Sequence, residues 1–122
     1  MNSSFLIPHF SFIIACRNEI SNLPTLLESI ENQSFKPSEV IFVDDNSTDE
    51  TYNFLLNYSQ KYNYIKVIKN TRKGKKSAII EASKIAQSEY LIFTDADCTL
   101  NKDYLYLAHQ YLSNQSRRIF HQ

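Results

Sequence analysis

Four short apolar runs alternate with segments of helical periodicity, and this alternation constrains the fold more than any other feature of the chain. Three of the runs are continuous and rich in β-branched or aromatic residues, as is typical of strands covered on both faces, whereas YIKVIK alternates and indicates a strand nearer a sheet edge. Strands separated by helices predict an α/β fold with a mostly parallel sheet and about four βα units. The runs are FSFIIAC (Phe10–Cys16), EVIFV (Glu39–Val43), YIKVIK (Tyr64–Lys69) and YLIFT (Tyr90–Thr94).

The segments between and after these runs predict four helices. In the first, LPTLLESIENQ, Pro24 suits the opening turn. The second begins with STDE (Ser47–Glu50), which has the form of a capping box, and is expected to reach about Tyr62. The fourth is expected to close at about Leu112. Residues expected to share one face are Leu23, Leu26, Leu27 and Ile30 in the first helix and Ala78, Ala82, Ile85 and Ala86 in the third.

Composition excludes several classes of protein. The single glycine, Gly74, is too few for a Walker A loop or a dinucleotide fingerprint. Acidic and basic residues balance at 13 each, so no net charge attracts nucleic acid, and we expect no such partner. Cys16 and Cys98 have no metal-ligand spacing, and neither a secretory signal nor a membrane-spanning run is apparent. We therefore expect a soluble domain from a reducing compartment, with two free thiols.

Polar clusters follow the first, second and fourth predicted strands, far apart in the sequence. In a parallel sheet the carboxyl ends of all strands lie along one edge, where ligands bind. The architecture therefore gathers these clusters at a single candidate site. They are Arg17, Asn18 and Glu19 after the first strand, Asp44, Asp45 and Asn46 after the second, and Asp95 and Asp97 after the fourth.

The spacing of Asp95 and Asp97 indicates a divalent cation. Residues i and i+2 of extended chain point the same way, so the two carboxylates converge. Like charges at close range are unfavourable unless a cation lies nearby. Oxygen ligands without clustered histidine suit Mg²⁺ or Mn²⁺, held partly through substrate phosphates. When two aspartates with this spacing occur without other acids nearby, one is more often a helix cap and the other a solvated acid. The second acidic cluster on the same edge favours the metal site.

Two further features bear on a nucleotide ligand. A carboxylate at the position of Asp44 or Asp45 can accept a hydrogen bond from a base or a ribose, and helix capping explains one of these acids but not both. The segment KNTRKGKK contains five basic residues. It is either a solvated loop or a source of cations for phosphate groups, with Gly74 allowing close approach of the backbone. The residues alone leave both interpretations open.

The four segments IIACRNE, VIFVDDNSTDET, KGKKSAIIEA and YLIFTDADC, in this order, resemble the nucleotide-sugar-binding half of family 2 glycosyltransferases. The resemblance covers about Phe10 to Leu112. It implies the Rossmann-like GT-A fold and inverting transfer of a sugar from a nucleoside diphosphate donor, usually UDP, to an acceptor hydroxyl. It also implies a saccharide or lipid-linked acceptor.

The resemblance implies one donor-binding set and one metal ligand. Asp45 would bond the base, Asp95 would face the ribose, and Lys75 or Lys76 would lie near the diphosphate. Asp97 would bind Mg²⁺ or Mn²⁺. The whole nucleotide-sugar-binding set is Ala15, Arg17, Glu19, Asp45, Lys75, Lys76 and Asp95.

Family members continue for at least another hundred or so residues with the acceptor site and the general base. We therefore expect no catalytic base within this chain, and place it beyond Gln122. The expected organisation is an extension (residues 1–9), a donor-binding domain (10–112) and a tail (113–122). The expected location is cytoplasmic, at the inner face of the membrane for members with transmembrane helices. An unpaired sheet edge would favour self-association into a homo-oligomer.

Two alternatives stand beside this interpretation. One is a non-catalytic fragment that binds nucleotides. The other is a signalling domain similar to a response-regulator receiver, which also places acids at strand ends. A receiver carries its acidic pair after the first strand and a lysine after a fifth strand, and neither feature is found in this sequence.

Overall fold

The protein is described here by a computed structural model that covers residues 9–121, with side chains described for residues 9–114. Its elements alternate as the sequence predicts, with boundaries that differ by a few residues. Strands and helices follow in the order β1 Phe10–Cys16, α1 Leu23–Glu31, β2 Glu39–Asp44, α2 Thr51–Ser59, β3 Ile65–Lys69, α3 Lys75–Ile85, β4 Tyr90–Phe93 and α4 Tyr104–His121. The α/β prediction is confirmed.

The four strands form one parallel sheet in the order β3-β2-β1-β4. β3 lies at one edge, as its alternating pattern predicts. β4 forms the other edge, and the expectation that it is covered on both faces is wrong, because none of its four residues is buried. Its Phe93 side chain is 52% exposed. The apolar character of β4 therefore does not reflect complete burial within the described residues.

The hydrophobic core lies on both faces of the central strands β1 and β2. On one face Phe12 and Phe42 are fully buried beneath α1, α2 and α4. On the other face Ile13 and Ile41 pack against the small residues of α3. Full burial of one large apolar side chain contributes about 1.5–3 kcal/mol, so these central strands anchor the site at their carboxyl ends.

The helices confirm some of the predicted faces and correct others. All four apolar residues predicted for α1 are buried, and so are Ala78 and Ala82 of α3, but Ile85 is 41% exposed at the helix end. The predicted capping box is wrong, since α2 begins at Thr51 and neither Ser47 nor Glu50 makes a side-chain cap. Ser47 instead accepts a hydrogen bond from the loop after β1.

The last helix is longer than predicted. α4 continues past Leu112 to His121, so the tail expected at residues 113–122 is helical as far as the structure describes it. The extension expected at residues 1–9 lies outside the described residues except for His9. No helix within residues 9–121 is long and apolar enough to cross a membrane.

Candidate functional site

A pocket of about 350 Å³ lies at the carboxyl end of the sheet, where the strand order reverses between β1 and β4. Such a reversal opens a crevice between loops that leave the sheet toward opposite faces, and ligands of open α/β sheets bind there. Every residue of the nucleotide-sugar-binding and metal set that the resemblance implies, except Lys76, lines this pocket. The lining residues are Ala15, Cys16, Arg17, Glu19, Asp45, Lys75, Asp95, Ala96 and Asp97.

Asp45 is held by a dense set of hydrogen bonds on one of its two carboxylate oxygens. Its Oδ1 accepts bonds from Asn70 Nδ2 at 3.0 Å, from the Gly74 N–H at 3.0 Å and from Asn46 Nδ2 at 3.2 Å. Its Oδ2 has no hydrogen-bond donor among the described residues. The carboxylate is therefore oriented by the protein through one oxygen and offers the other to a ligand.

The same contacts set the charge of Asp45. Burial raises the pKa of the Asp45 carboxyl, but the hydrogen bonds from Asn70, Gly74 and Asn46, with the nearby Arg17 cation, leave it below its ordinary value. Hydrogen bonds to the charged form of an acid favour that form. Asp45 is consequently an anion at neutral pH, suited to accept a hydrogen bond from a donor such as a base N–H.

Gly74 supports this arrangement through its backbone. Its φ of +103° is a conformation that residues with a Cβ rarely adopt, and it places the Gly74 N–H on Asp45 at the start of α3. A Cβ at this position would meet no atom within 4 Å. The constraint on Gly74 is therefore conformational, and space for a side chain is not what excludes other residues.

Asp44 does not share the environment of its neighbour. Successive residues of a strand point to opposite faces, and Asp44 is buried without lining the pocket. Its Oδ1 has no hydrogen-bond partner among the described residues. Asp44 also acts on the neighbouring thiol of Cys16. Burial, together with the nearby carboxylates of Glu19 and Asp44, raises the pKa of that thiol to about 12. Asp44 and Asp45 thus have separate environments, which agrees with the prediction that helix capping does not account for both acids.

Asp95 and Asp97 converge at the mouth of the pocket. One ligand atom from each, together with the Cys98 sulfur, fits within a mutual separation of 4.8 Å. The Lys75 ammonium forms an ion pair with Asp95 and its pKa is raised by that bond. Asp97 has no ion pair with any residue that the structure describes. Its carboxylate is therefore the freer of the two for a cation, and two hard oxygen ligands fit Mg²⁺ or Mn²⁺.

Only one lysine of the basic segment reaches the pocket. Lys75 lines it, whereas Lys76, Arg72 and Lys73 are exposed outside it. The Nζ atom of Lys69 lies 4.4 Å from the centre of the Tyr52 ring. The segment therefore divides between the two interpretations that the sequence left open. Most of its cations are solvated, and one faces the site.

Asn70 belongs to the site without having been predicted from the sequence. Asn70 is buried directly after β3, and its Nδ2 also donates to the Gly74 carbonyl and to Ser77 Oγ. The sequence signal for Asn70 is its position directly after a strand, which it shares with the polar clusters after the other three strands. Cys98 is exposed beside Asp97 and does not pack in the core.

Comparison with known proteins places these features in a family. The family model described as Glycosyl transferase family 2 matches residues 11–120. Poly-beta-1,6-N-acetyl-D-glucosamine synthase of Staphylococcus epidermidis is 29% identical over 93 residues, which are 76% of this chain and 23% of that protein. Cholesterol galactosyltransferase of Borreliella burgdorferi is 31% identical over 87 residues, 71% of this chain and 24% of that protein. The chain spans about a quarter of the length of these relatives.

Solved structures show the same fold. S. aureus TarS in complex with UDP superposes with a TM-score of 0.77 at 32% identity, over 87% of this chain and 32% of that chain. Mannosyltransferase PcManGT from Pyrobaculum calidifontis, in complex with GDP-Man and Mn²⁺, superposes with a TM-score of 0.74 at 28% identity, over 81% of this chain and 30% of that chain.

Proposed function

This chain belongs to glycosyl transferase family 2, and we propose that it binds the nucleoside diphosphate sugar and the metal ion of an inverting glycosyltransferase. The observation that carries the proposal is the convergence, in one pocket, of the oriented Asp45 anion, the Lys75 cation and the Asp95–Asp97 pair. Family membership also removes the receiver-like signalling domain as an alternative.

The base-binding role falls to Asp45. Its Oδ2 is free among the described residues while its Oδ1 is fixed by three donors. Uracil offers an N–H donor to such an oxygen, and TarS was crystallised with UDP and with UDP-GlcNAc. PcManGT was crystallised with GDP-Man, so guanine is the competing base. We propose UDP for this chain, with Ala15, Arg17 and Glu19 forming the remaining wall.

The diphosphate and metal roles fall to residues at the pocket mouth. Asp97 would hold Mg²⁺ or Mn²⁺ and Asp95 would face the ribose. Lys75 is 61% and Asp95 55% exposed, and exposed ion pairs contribute only about 0–1 kcal/mol. The pair can therefore open at small cost when phosphate oxygens compete for Lys75.

In the reaction, a bound divalent ion would stabilise the negative charge that develops on the departing nucleoside diphosphate. Lys75 would add a second positive charge to the same phosphate oxygens. We assign no general base among the described residues, because the proposal already gives the four acids that line the pocket (Glu19, Asp45, Asp95 and Asp97) to the donor and the metal ion. The acceptor would be a saccharide or lipid-linked hydroxyl, deprotonated by a base outside residues 9–121.

A thermal-shift panel tests this proposal. The chain would be heated with UDP, GDP, UMP or ADP, each with Mn²⁺ or with EDTA. We expect the largest rise in melting temperature with UDP and Mn²⁺, and a smaller rise with UMP because it lacks the β-phosphate. A larger rise in melting temperature with GDP than with UDP would show that the preferred base is guanine and not uracil. No response to any nucleotide would refute donor binding, since ligands that bind the folded state stabilise it by mass action.

Turnover is tested separately from binding. UDP-GlcNAc and UDP-glucose would be incubated with the chain and Mn²⁺, and released UDP measured. Binding without release of UDP would favour the alternative of a non-catalytic nucleotide-binding chain. Release of UDP that is lost in Asp97→Asn would support a complete donor half of the active site.

A further inference from the structure

Asn18 is the second residue after β1, between two residues that line the pocket, but does not line the pocket itself. Its φ is +54°, in the left-handed region that asparagine tolerates better than most residues with a side chain. Its side-chain oxygen accepts hydrogen bonds from the Thr48 N–H at 2.7 Å, the Asp49 N–H at 3.2 Å and the Thr48 hydroxyl at 3.3 Å. One exposed side chain thus holds the loop that follows β2.

Bonds in the opposite direction complete the connection. The Asn18 N–H donates to Ser47 Oγ at 3.0 Å, and the Glu19 N–H donates to Thr51 Oγ1 at 3.0 Å. Four hydrogen bonds join the loop after β1 to the loop after β2, and a fifth joins it to Thr51, the first residue of α2. Three of the five use the side chain of Asn18, so this residue is the centre of the connection.

Both joined loops lead from residues that line the pocket. Arg17 and Glu19 flank Asn18, and Asp45 lies two residues before Ser47. Arg17 is exposed and has no ion pair with a described residue, so its backbone is the part of this residue that the contacts of the loop can hold. That cation is near enough to Asp45 to help lower the pKa of its carboxyl.

We propose that Asn18 is a positioning residue, which holds Arg17 and Glu19 at a set distance from Asp45 through its side-chain oxygen. The proposal rests on the proposed function, because it treats this pocket as the donor site. It differs from a purely local role, in which asparagine is present only because the turn needs a left-handed residue. Glycine would satisfy that local requirement as well or better.

Two substitutions separate these roles. Asn18→Gly keeps the left-handed backbone and removes the acceptor oxygen, whereas Asn18→Asp keeps an acceptor and the same size. A net hydrogen bond contributes about 0.5–1.5 kcal/mol, and 1.4 kcal/mol is tenfold in affinity. We expect Asn18→Gly to weaken binding of UDP in the presence of Mn²⁺ by about tenfold or more, and Asn18→Asp to bind within about threefold of the wild type.

The decisive measurement is isothermal titration of both variants, with amide exchange and ¹H–¹⁵N spectra recorded on the same samples. Faster exchange of the Thr48 and Asp49 amides in Asn18→Gly, with displaced resonances of Arg17 and Asp45, is expected together with the loss of affinity. Asn18→Asp should restore both. Wild-type affinity in Asn18→Gly would overturn the proposal, as would equal losses in the two variants.

Failure of the donor-site proposal would look different. If the wild type binds no nucleotide, the donor site is refuted, and the spectra still decide whether Asn18 sets the geometry of Arg17 and Asp45. If Asn18→Gly does not fold, Thr48→Val replaces it, since that change removes from an exposed side chain the hydroxyl that donates to the Asn18 side-chain oxygen. Its expected loss is about threefold, and no loss would overturn the proposal.

Discussion

Asn70 donates from its side-chain nitrogen to Asp45 Oδ1 at 3.0 Å, and both residues are buried at the carboxyl edge of the sheet. The same nitrogen contacts the Gly74 carbonyl and Ser77, and the Asn70 oxygen accepts the Arg72 N–H at 3.2 Å. One amide therefore connects the end of β3, the start of α3 and the anion after β2. The predictions below follow from this arrangement and from the pocket it shapes.

Removal of the Asn70 amide is expected to destabilise the fold. Asn70→Ala removes the buried hydrogen bond to the charged Asp45 carboxylate, and a hydrogen bond to a charged group contributes about 1.5–3 kcal/mol. We expect the free energy of unfolding, measured in urea, to fall by about 2 kcal/mol. The matched control is Asn53→Ala, which removes an exposed amide from α2 and should leave stability within about 0.5 kcal/mol. Equal losses in the two variants would contradict the central position of Asn70.

Asp45 is expected to make stability depend on pH in the acid range. Its pKa is lower in the folded than in the unfolded chain, so the stabilisation is present above the unfolded value of about 3.9 and is lost as the pH falls through the folded value. The urea-unfolding free energy of the wild type should fall below about pH 4. Asp45→Asn keeps a side-chain oxygen for the three donors but cannot ionise, so its fall should be shallower. If the free energies of unfolding of the wild type and of Asp45→Asn fell in parallel as the pH was lowered, the ionisation of Asp45 would not contribute to stability.

The two adjacent lysines should differ in their effect on phosphate binding. Lys75 lines the pocket and pairs with Asp95, whereas Lys76 lies outside it. One charge-assisted contact contributes about 1.5–3 kcal/mol, so Lys75→Gln should raise the Kd for UDP about tenfold or more. Lys76→Gln is the matched control and should change it less than about twofold. Uridine, which has no phosphate, should bind both variants alike, and an equal loss of UDP affinity in both would contradict the assignment of Lys75.

The two thiols should report on the site by their reactivity. Cys16 is buried with its pKa raised to about 12, so iodoacetamide at pH 8 should spare it in the native protein. Cys98 is exposed next to Asp97 and should be alkylated. Mn²⁺ with UDP should slow alkylation of Cys98 in proportion to site occupancy, and UDP with EDTA should slow it less. Mass spectrometry of the two cysteine peptides measures both rates, and an unprotected Cys98 at saturating UDP would place the metal elsewhere.

The pattern of the sequence was sufficient for the sheet and for most of the site. Continuous apolar runs and helical stripes report on backbone burial, and parallel strands bring their carboxyl ends together whatever the side chains are. That logic alone predicts that Asp45, Arg17 and Asp97 lie on one edge of the sheet. It could not choose between Lys75 and Lys76, because adjacent residues of a helix start differ in direction and the sequence does not give that angle.

Side-chain hydrogen bonds between loops were beyond the reach of the pattern. Ser47 and Glu50 match a capping box, yet Ser47 bonds to Asn18 across the site and Glu50 caps nothing. The partner of Ser47 is 29 residues away, so a local motif could not reveal it. The exposure of Phe93 has a related cause, since an apolar run does not show how completely the helices cover the faces of its strand.

The central claim is that Asp97 holds a divalent ion that completes the diphosphate site. Isothermal titration of UDP into the chain, with Mn²⁺ or with EDTA, tests it most directly when the wild type is compared with Asp97→Asn. We predict binding to the wild type that weakens at least about tenfold in EDTA, the equivalent of one lost charge-assisted contact, and binding to Asp97→Asn that is equally weak in both conditions. UDP affinity that is the same with and without Mn²⁺ in the wild type, or metal-dependent binding that persists in Asp97→Asn, would contradict the claim.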